Sequence, residues 1–258
     1  GESLWILVNR FTGWVDVVLS KKGEEEAIKA GNLIKDLDVA IDGIFTSYLT
    51  RAIKTLELIM KVNKFKNLPF TKAWELNERH YGELTGLNKD EMKKKLSEDK
   101  VHELRRSWDK PPDKLDASSI YHPNNIDIYK NISKDKIPNT ESLRDTYERV
   151  VPYYKKNINN INKNILISAH GNSIRALCKY LFDLSNDNIS KLEIPTGNPL
   201  LLEIENDKAL LSTILELLGY KPNTIVVELN DVIINSKKWD NEILKDGDTL
   251  EIVSIVGG

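Results

Sequence analysis

The chain has 258 residues, 40% apolar and 29% charged, with a formal net charge of -2. That length buries one good-sized core, or one core with a small second unit, and the near-neutral charge argues against nucleic acid and membrane surfaces as partners. No apolar run reaches the roughly 20 residues of a membrane span, and no N-terminal segment reads as a secretory signal. The single cysteine, Cys178, cannot form an internal disulfide, so a reducing, cytoplasmic compartment is expected.

Taken in chain order, Ser20 reads as the cap of a helix in which Ala27, Ala30, Gly31 and Ile34 share one face. Gly43–Ser47 reads as a short buried strand, and Thr50 to about Val62 as a helix with Ala52, Ile53, Leu56 and Ile59 as its apolar stripe. Val101–Trp108 reads as a further helix. The polar stretch Pro111–Asn125 is either a loop over a site or a plain exposed excursion, and its composition does not separate the two. Asn139-Thr140-Glu141 opens a long helix running to about Asn159. Ile165–Ala169 is a compact apolar strand ending in His170-Gly171-Asn172, with a helix from Ser173. Cys178 falls in that helix among apolar residues, as a buried structural thiol does.

Near Asp207 the pattern changes. Leu210–Gly219 reads as a short helix closed by glycine, and Thr224–Leu229, Val232–Ile234 and Thr249–Val253 read as strands, with a turn at Asp246-Gly247-Asp248. The expected fold is therefore α/β, a mostly parallel sheet flanked by helices over residues 1–208, followed by a β-rich unit over 209–258.

Three features carry chemistry. His170 stands at the carboxyl end of a strand, directly before a helix, where open α/β sheets bind ligands and helix amides favour anions. Arg51, near the start of the helix after the Gly43–Ser47 strand, points to that same edge, and Arg105-Arg106 offers two guanidinium forks suited to phosphate or carboxylate. Glu78, within Leu76–Gly82, is a general acid/base if partly desolvated beside cations and otherwise part of a salt-bridged turn. Spacing alone leaves both readings of each feature open.

Longer motifs separate them. Gly1–Trp5, Asn9–Trp14, Leu19–Gly23, Thr46–Ala52, Leu76–Gly82, Gly86–Lys89, Arg105-Arg106, Thr140–Leu143, Ala169–Ser173 and Ile194–Gly197 occur in this order. Together they resemble the 2,3-bisphosphoglycerate-dependent phosphoglycerate mutases of the histidine phosphatase superfamily over about residues 1–206. The resemblance implies a glycolytic and gluconeogenic enzyme, cytoplasmic and paired as a homodimer, that interconverts 3- and 2-phosphoglycerate through a phosphohistidine. It also implies priming by 2,3-bisphosphoglycerate and no metal. Carried over residue by residue, Glu78 moves protons to and from the substrate hydroxyl, and His170 stabilises the transferring phosphoryl group. Arg51 and Asn172 bind that group, while Ser3, Thr12, Gly13, Arg79, Tyr81, Lys89, Arg105, Arg106 and Gly171 complete the substrate site.

The likeness has two departures. The family's nucleophilic histidine ends a strand immediately before Gly-Glu-Ser, whereas the chain starts at Gly1. Ile6 also stands where the family carries an asparagine that touches the phosphoryl group. His80 and His170 fill positions of their own, and His102 and His122 read as solvated, so none stands in for the nucleophile. The expectation is a mutase-like binding site with impaired turnover, in which Ile6-Leu7-Val8 partly fills the place of the missing strand.

The closing residues Gly257-Gly258 form a side-chain-free end able to thread into a narrow enzyme site. With Leu217–Gly219, Val226–Asn230, Trp239-Asp240 and Asp246–Val253, they resemble the sulfur-carrier proteins of thiamine biosynthesis, which have a β-grasp fold. That likeness implies adenylation of the Gly258 carboxylate by a partner enzyme and its conversion to a thiocarboxylate. The family's opening hairpin is absent, so the β-grasp is expected to be partial. Two units each short of their opening strands read as a joined coding sequence.

Overall fold

In the computed structural model the Ser3 hydroxyl accepts a hydrogen bond from Ile6 N (3.4 Å) and starts a single helical turn, α1 (Leu4–Leu7). Ser3 pairs with Leu19 in an isolated bridge, and Leu4 N donates to Val18 O (3.1 Å). These bonds tie the segment to the chain before α2 (Lys21–Asp36). Ile6, Leu7 and Val8 are 42%, 59% and 53% exposed, so they do not fill a strand position in the sheet. The expectation that they would is corrected: a capped turn takes up their backbone groups, leaving no extended ladder.

The structure describes residues 1–159, 163–202, 204–205, 208–209, 211–212, 215, 225–243 and 250–254. It divides into two compact units, Gly1–Leu177 with Ile194–Pro199, and Cys178–Glu193 with Leu200–Gly258.

In the first unit, Ser20 caps α2 through Gly23 N (3.1 Å). The small residues Ala27, Ala30 and Gly31 and the larger Ile34 make its buried face. This face packs on α3 (Thr50–Lys61), which turns Ala52, Leu56, Ile59 and Met60 inward. The N-cap residue of α3, Leu49, has no side-chain cap; Asp16 supplies it from outside, accepting from Thr50 N (2.7 Å) and Thr50 Oγ1 (2.6 Å). Between the helices runs β1 (Gly43–Thr46), the centre of a three-stranded parallel sheet with β2 (Thr71–Lys72) and β3 (Ile165–Ser168) as its edges. Phe45 lies opposite Thr71 on one side and Ile167 on the other. The parallel sheet flanked by helices is as the residues imply, since buried parallel strands read as short apolar runs.

Two short helices, α4 (Lys89–Leu96) and α5 (Glu98–Arg106), follow, and then a long stretch of turns and 3₁₀ segments to Glu141. The helix expected from Asn139 begins slightly later as α6 (Leu143–Asn157), because Ser142 and Asp145 form a reciprocal capping box there. The helix α7 (Gly171–Leu181) starts directly behind β3. Cys178 is buried and unbonded to other cysteines, as expected of a structural thiol.

The second unit contains α8 (Asn186–Lys191) and two antiparallel sheets. One pairs β4 (Ile204–Glu205) with β5 (Lys208–Ala209). The other has the order β7 (Val232–Ile234), β6 (Ile225–Leu229), β8 (Leu250–Ser254), with Val227 opposite both Ile234 and Ile252. Ile225, Val227 and Leu229 are buried in alternation with half-buried Val226 and Glu228, the period-2 signature of a one-sided sheet. The expected helix at Leu210–Gly219, the turn at Asp246–Asp248 and the Gly257-Gly258 end lie wholly or mostly outside the described residues.

Candidate active site

Parallel strands β1 and β3 end side by side, with Thr46 Oγ1 donating to Ser168 O (2.8 Å). The residues that follow meet beyond the sheet edge: Ser47 Oγ lies 2.8 Å from His170 Nε2. Ser173 Oγ receives a bond from His170 N and donates to His170 O, both at 3.0 Å, fixing the start of α7. Burial, reinforced by the Arg51 charge, holds the His170 imidazole well below its ordinary pKa, so it is neutral near pH 7.

Glu78 reaches the same place from a different segment. Its Oε1 accepts from Arg79 N (2.7 Å) and from Asn172 Nδ2 (2.8 Å). Asn172 Nδ2 also donates to Tyr81 Oη (3.1 Å), and Asn172 Oδ1 accepts from Arg175 Nη1 (3.1 Å). A carboxylate, an amide, a phenol and a guanidinium thus share one network across two segments.

Arg79 is fully buried, with Nη2 donating to Leu104 O (2.9 Å) and Arg105 O (3.1 Å) and the guanidinium 4.8 Å over the Tyr81 ring. Its Nε and Nη1 have no hydrogen-bond partner, and neither does the buried Thr12 Oγ1. Each unsatisfied buried donor costs about 1–3 kcal/mol, more for a charged group; an anionic oxygen removes that cost. Lys89, at the first turn of α4, is lowered to about 8 by burial and then by Arg105 and Arg106, partly offset by Glu78 and Asp90. Cations crowded in this way call for an anion.

Arg51 is buried, and its Nη1 and Nη2 donate to Val15 O (2.9 Å) and Gly13 O (2.8 Å). Burial lowers its pKa, while the nearby Glu78, Tyr129, Asp16 and Tyr81 oppose the shift, which places it within the field of the same cluster. Gly13 adopts φ +56°, and a Cβ there would sit 3.3 Å from Tyr81 N, so a glycine lets this loop lie against Tyr81. Gly82, at φ +54°, is stricter: a Cβ would come within 2.0 Å of Asp113 O. A Cβ on Gly171 meets nothing within 4 Å, leaving the start of α7 open.

The structure therefore brings together Glu78, Arg79, Tyr81, Gly13, Arg51, Lys89, Arg105, Arg106, His170 and Asn172. Ser3 has a different visible role, as the cap of α1. His122 corrects the sequence reading: it is 4% exposed, and its Nδ1 accepts from Asn124 N (3.2 Å) as a helical cap. The loop composition concealed this because the burial comes from distant residues. His80 is buried, its Nδ1 accepts from Gly82 N (3.0 Å), and burial lowers it to about 3. Sequence reasoning missed Ser47, Arg175, Glu141 and Arg149; for Arg175 the i, i+3 spacing from Asn172 on α7 was the available signal. A surface depression of about 510 Å³ between Glu57 and Phe70 shares no residue with this cluster. Among the described residues no group of three or more His, Cys, Asp or Glu is arranged to hold a metal ion.

Known proteins resemble this chain over most of its length. Residues 1–122 and 116–216 match the histidine phosphatase superfamily (branch 1), and residues 196–258 match the ThiS family. The chain is 57% identical over 209 residues to a 2,3-bisphosphoglycerate-dependent phosphoglycerate mutase of Pelagibacter ubique, covering 80% of this chain and 87% of that protein. It is 49% identical over 210 residues to the protein of the same name from Borreliella afzelii, covering 80% and 85%. Among solved structures, Bacillus stearothermophilus YhfR aligns with a TM-score of 0.60 at 19% identity, covering 81% of this chain and 90% of that one. The alpha-ribazole phosphatase of Shigella flexneri gives 0.57 at 21%, covering 81% and 89%. These structural likenesses concern the fold alone. By the extent of its family match and its identity to these relatives, the chain belongs to the histidine phosphatase superfamily, within the 2,3-bisphosphoglycerate-dependent phosphoglycerate mutase family, and carries a ThiS-family segment behind it.

Proposed function

We propose that the first unit binds a phosphoglycerate and serves the interconversion of its 3- and 2-phosphate esters. The observation that carries this reading is the pair of unpartnered Arg79 donors beside Lys89, Arg105 and Arg106, with Glu78 held nearby by Asn172. A transferring phosphoryl group spreads negative charge over its oxygens and needs positioning and cationic stabilisation more than covalent help. Arg79, Lys89 and Arg105-Arg106 hold the acid and ester ends of the substrate. Arg51 and the neutral His170 face the moving phosphoryl group, whose charge raises the proton affinity of the imidazole. Glu78 takes and returns the proton of the substrate hydroxyl. The same cationic cradle fits 2,3-bisphosphoglycerate, which when bound supplies the priming phosphoryl group.

The phosphoryl acceptor in this reading is an imidazole directly before Gly-Glu-Ser, in line with the sequence resemblance. The buried His170 imidazole meets Ser47 through Nε2, and the buried His80 imidazole accepts from Gly82 N through Nδ1, its Nε2 having no hydrogen-bond partner. In this reading turnover requires the imidazole before Gly-Glu-Ser, whereas binding of 3-phosphoglycerate requires only the cationic cradle. Calorimetry with 3-phosphoglycerate tests the binding, and radiolabelled 2,3-bisphosphoglycerate tests phosphohistidine formation. A chain in which Gly1 follows an apolar strand ending in Arg-His should show both labelling and mutase activity. Absence of 3-phosphoglycerate binding to the chain would refute the reading.

A second activity is favoured by the ThiS-family match over residues 196–258. In it, ATP activates the Gly258 carboxylate as an acyl adenylate with release of pyrophosphate, and a sulfur donor displaces AMP to leave a thiocarboxylate. Incubation with an adenylating enzyme, ATP and a sulfur donor should replace one oxygen by one sulfur in the intact mass; an unchanged mass would remove this activity.

A further inference from the structure

Arg149 lies on α6, and its side chain is nearly buried, as is that of its partner Glu141. Its Nε and Nη2 donate to Glu141 Oε1 (2.6 Å) and Oε2 (2.9 Å), a bidentate pairing. Nη1 donates to Glu75 O (2.6 Å) and Asn77 O (3.0 Å), and Nη2 also donates to Glu78 O (3.0 Å). A guanidinium has five N–H donors, and these five bonds engage all of them. Glu141 closes the clamp from the other side: its Oε2 accepts from His80 N (2.7 Å), and its own N donates to His80 O (3.0 Å). The backbone from Glu75 to His80 is thereby held at both ends by one ion pair, and the Glu78 carboxylate projects from the middle of it.

None of the five bonds reaches the Glu78 carboxylate, which meets Arg79 N and Asn172 instead. From this geometry we infer that Arg149, held by Glu141, is a positioning residue that sets the Glu78 carboxylate against Asn172. The inference rests on the reading of Glu78 as the group that carries the hydroxyl proton. A loop segment carrying an acid/base needs this kind of support, because a misplacement of about 1 Å costs on the order of 100-fold in rate. Lysine at position 149 keeps the charge but cannot serve carbonyls and a carboxylate in one plane.

The side-chain amide of Asn172 reports the outcome directly, since its Nδ2 touches Glu78. In ¹⁵N-labelled chain its resonances, assigned by their loss in N172D, are compared among wild type, E78Q, R149K and E141Q. R149K should move them from the wild-type position toward the E78Q position, and E141Q should move them less in the same direction. Affinity for 3-phosphoglycerate should stay within about threefold of wild type in R149K, because the cationic cradle is untouched. Arg149 would be a purely structural residue, and the inference wrong, if R149K lowered the melting temperature yet left the Asn172 resonances in place. Should R149K not fold, E141Q decides on the same signal, an unmoved resonance again overturning the inference. Failure of wild type to bind 3-phosphoglycerate would strike the proposed function and leave this comparison readable.

Discussion

The two units handle buried polarity in opposite ways. Every buried polar or charged side chain among the described residues lies between Ser3 and Arg175, in the first unit. In the second unit the described buried side chains, such as Val227, Leu229 and Trp239, are apolar, apart from a Trp239 indole N–H that reaches Ile234 O (3.0 Å). Burying polar groups is unfavourable unless each finds a partner, so the first unit is organised around buried bonds, with Arg79 donors left over, and the second around plain packing. The difference sets a first unit held by buried polar bonds against a second whose described core is apolar.

The strongest way to break the contrast is to remove the ion pair on which the Glu75–His80 segment depends. Arg149→Met leaves Glu141 buried and unpaired, together with three carbonyls, and should destabilise the first unit by about 3–5 kcal/mol. Urea denaturation followed by tryptophan fluorescence measures it, and a loss below about 1 kcal/mol would show that the clamp is not structural in this sense. In the second unit, Leu229→Ala should lower stability by about 2–5 kcal/mol through its cavity alone, with 3-phosphoglycerate affinity unchanged. A weakened affinity would erase the division of labour.

Acid sharpens the comparison next. The folded-state pKa of His80 is lowered to about 3, from 6.5, and that of His170 lies well below 6.5. Between pH 6.5 and 3 the unfolded chain takes up a proton at His80 that the folded chain refuses, so stability falls as pH falls through this window. The slope reaches about 1.4 kcal/mol per pH unit for each such histidine. His80→Asn should flatten the profile, and an equally steep profile in that variant would assign the effect elsewhere.

Lys89 gives a smaller effect of opposite placement. Its folded pKa of about 8 lies below the ordinary 10.5, so the unfavourable charged form is lost between these values and stability of the ligand-free chain rises there with pH. Phosphoglycerate affinity should instead fall above pH 8, as the lysine loses its charge, and this fall should be absent in Lys89→Ala; calorimetry across pH 7 to 9.5, about the range a titration near 8 occupies, is the test. The smallest change is at the exposed α1 turn. Leu7→Lys should alter stability by no more than about 0.5 kcal/mol, and a larger loss would mean that this apolar turn packs on something.

How much was legible beforehand follows from range. Ser20 as a cap, the α3 stripe and the strand before His170 were readable because a cap and a helical face are local patterns of a few residues. The meeting of Glu78 with Asn172, and of Ser47 with His170, joins residues far apart in the chain, and periodicity carries no information about such pairs. The grouping of Glu78, His170 and Asn172 into one site came from family resemblance, whereas Ser47's place there and all these contacts came from the fold. His122 shows the same limit in reverse, a residue in a polar loop whose burial is set by what packs over it.

By itself, then, the amino-acid order determined the alternation of short apolar strands with capped helices, the change of pattern near Asp207 and the set of charged residues available for chemistry. Tertiary structure alone decided that Arg149 and Glu141 grip the backbone behind Glu78 and that Arg79 is buried with donors to spare. It also decided that Ile6-Leu7-Val8 turns outward as one helical turn. Local propensity is written in neighbouring residues, whereas burial and electrostatic environment depend on which distant side chains the fold brings within a few ångströms.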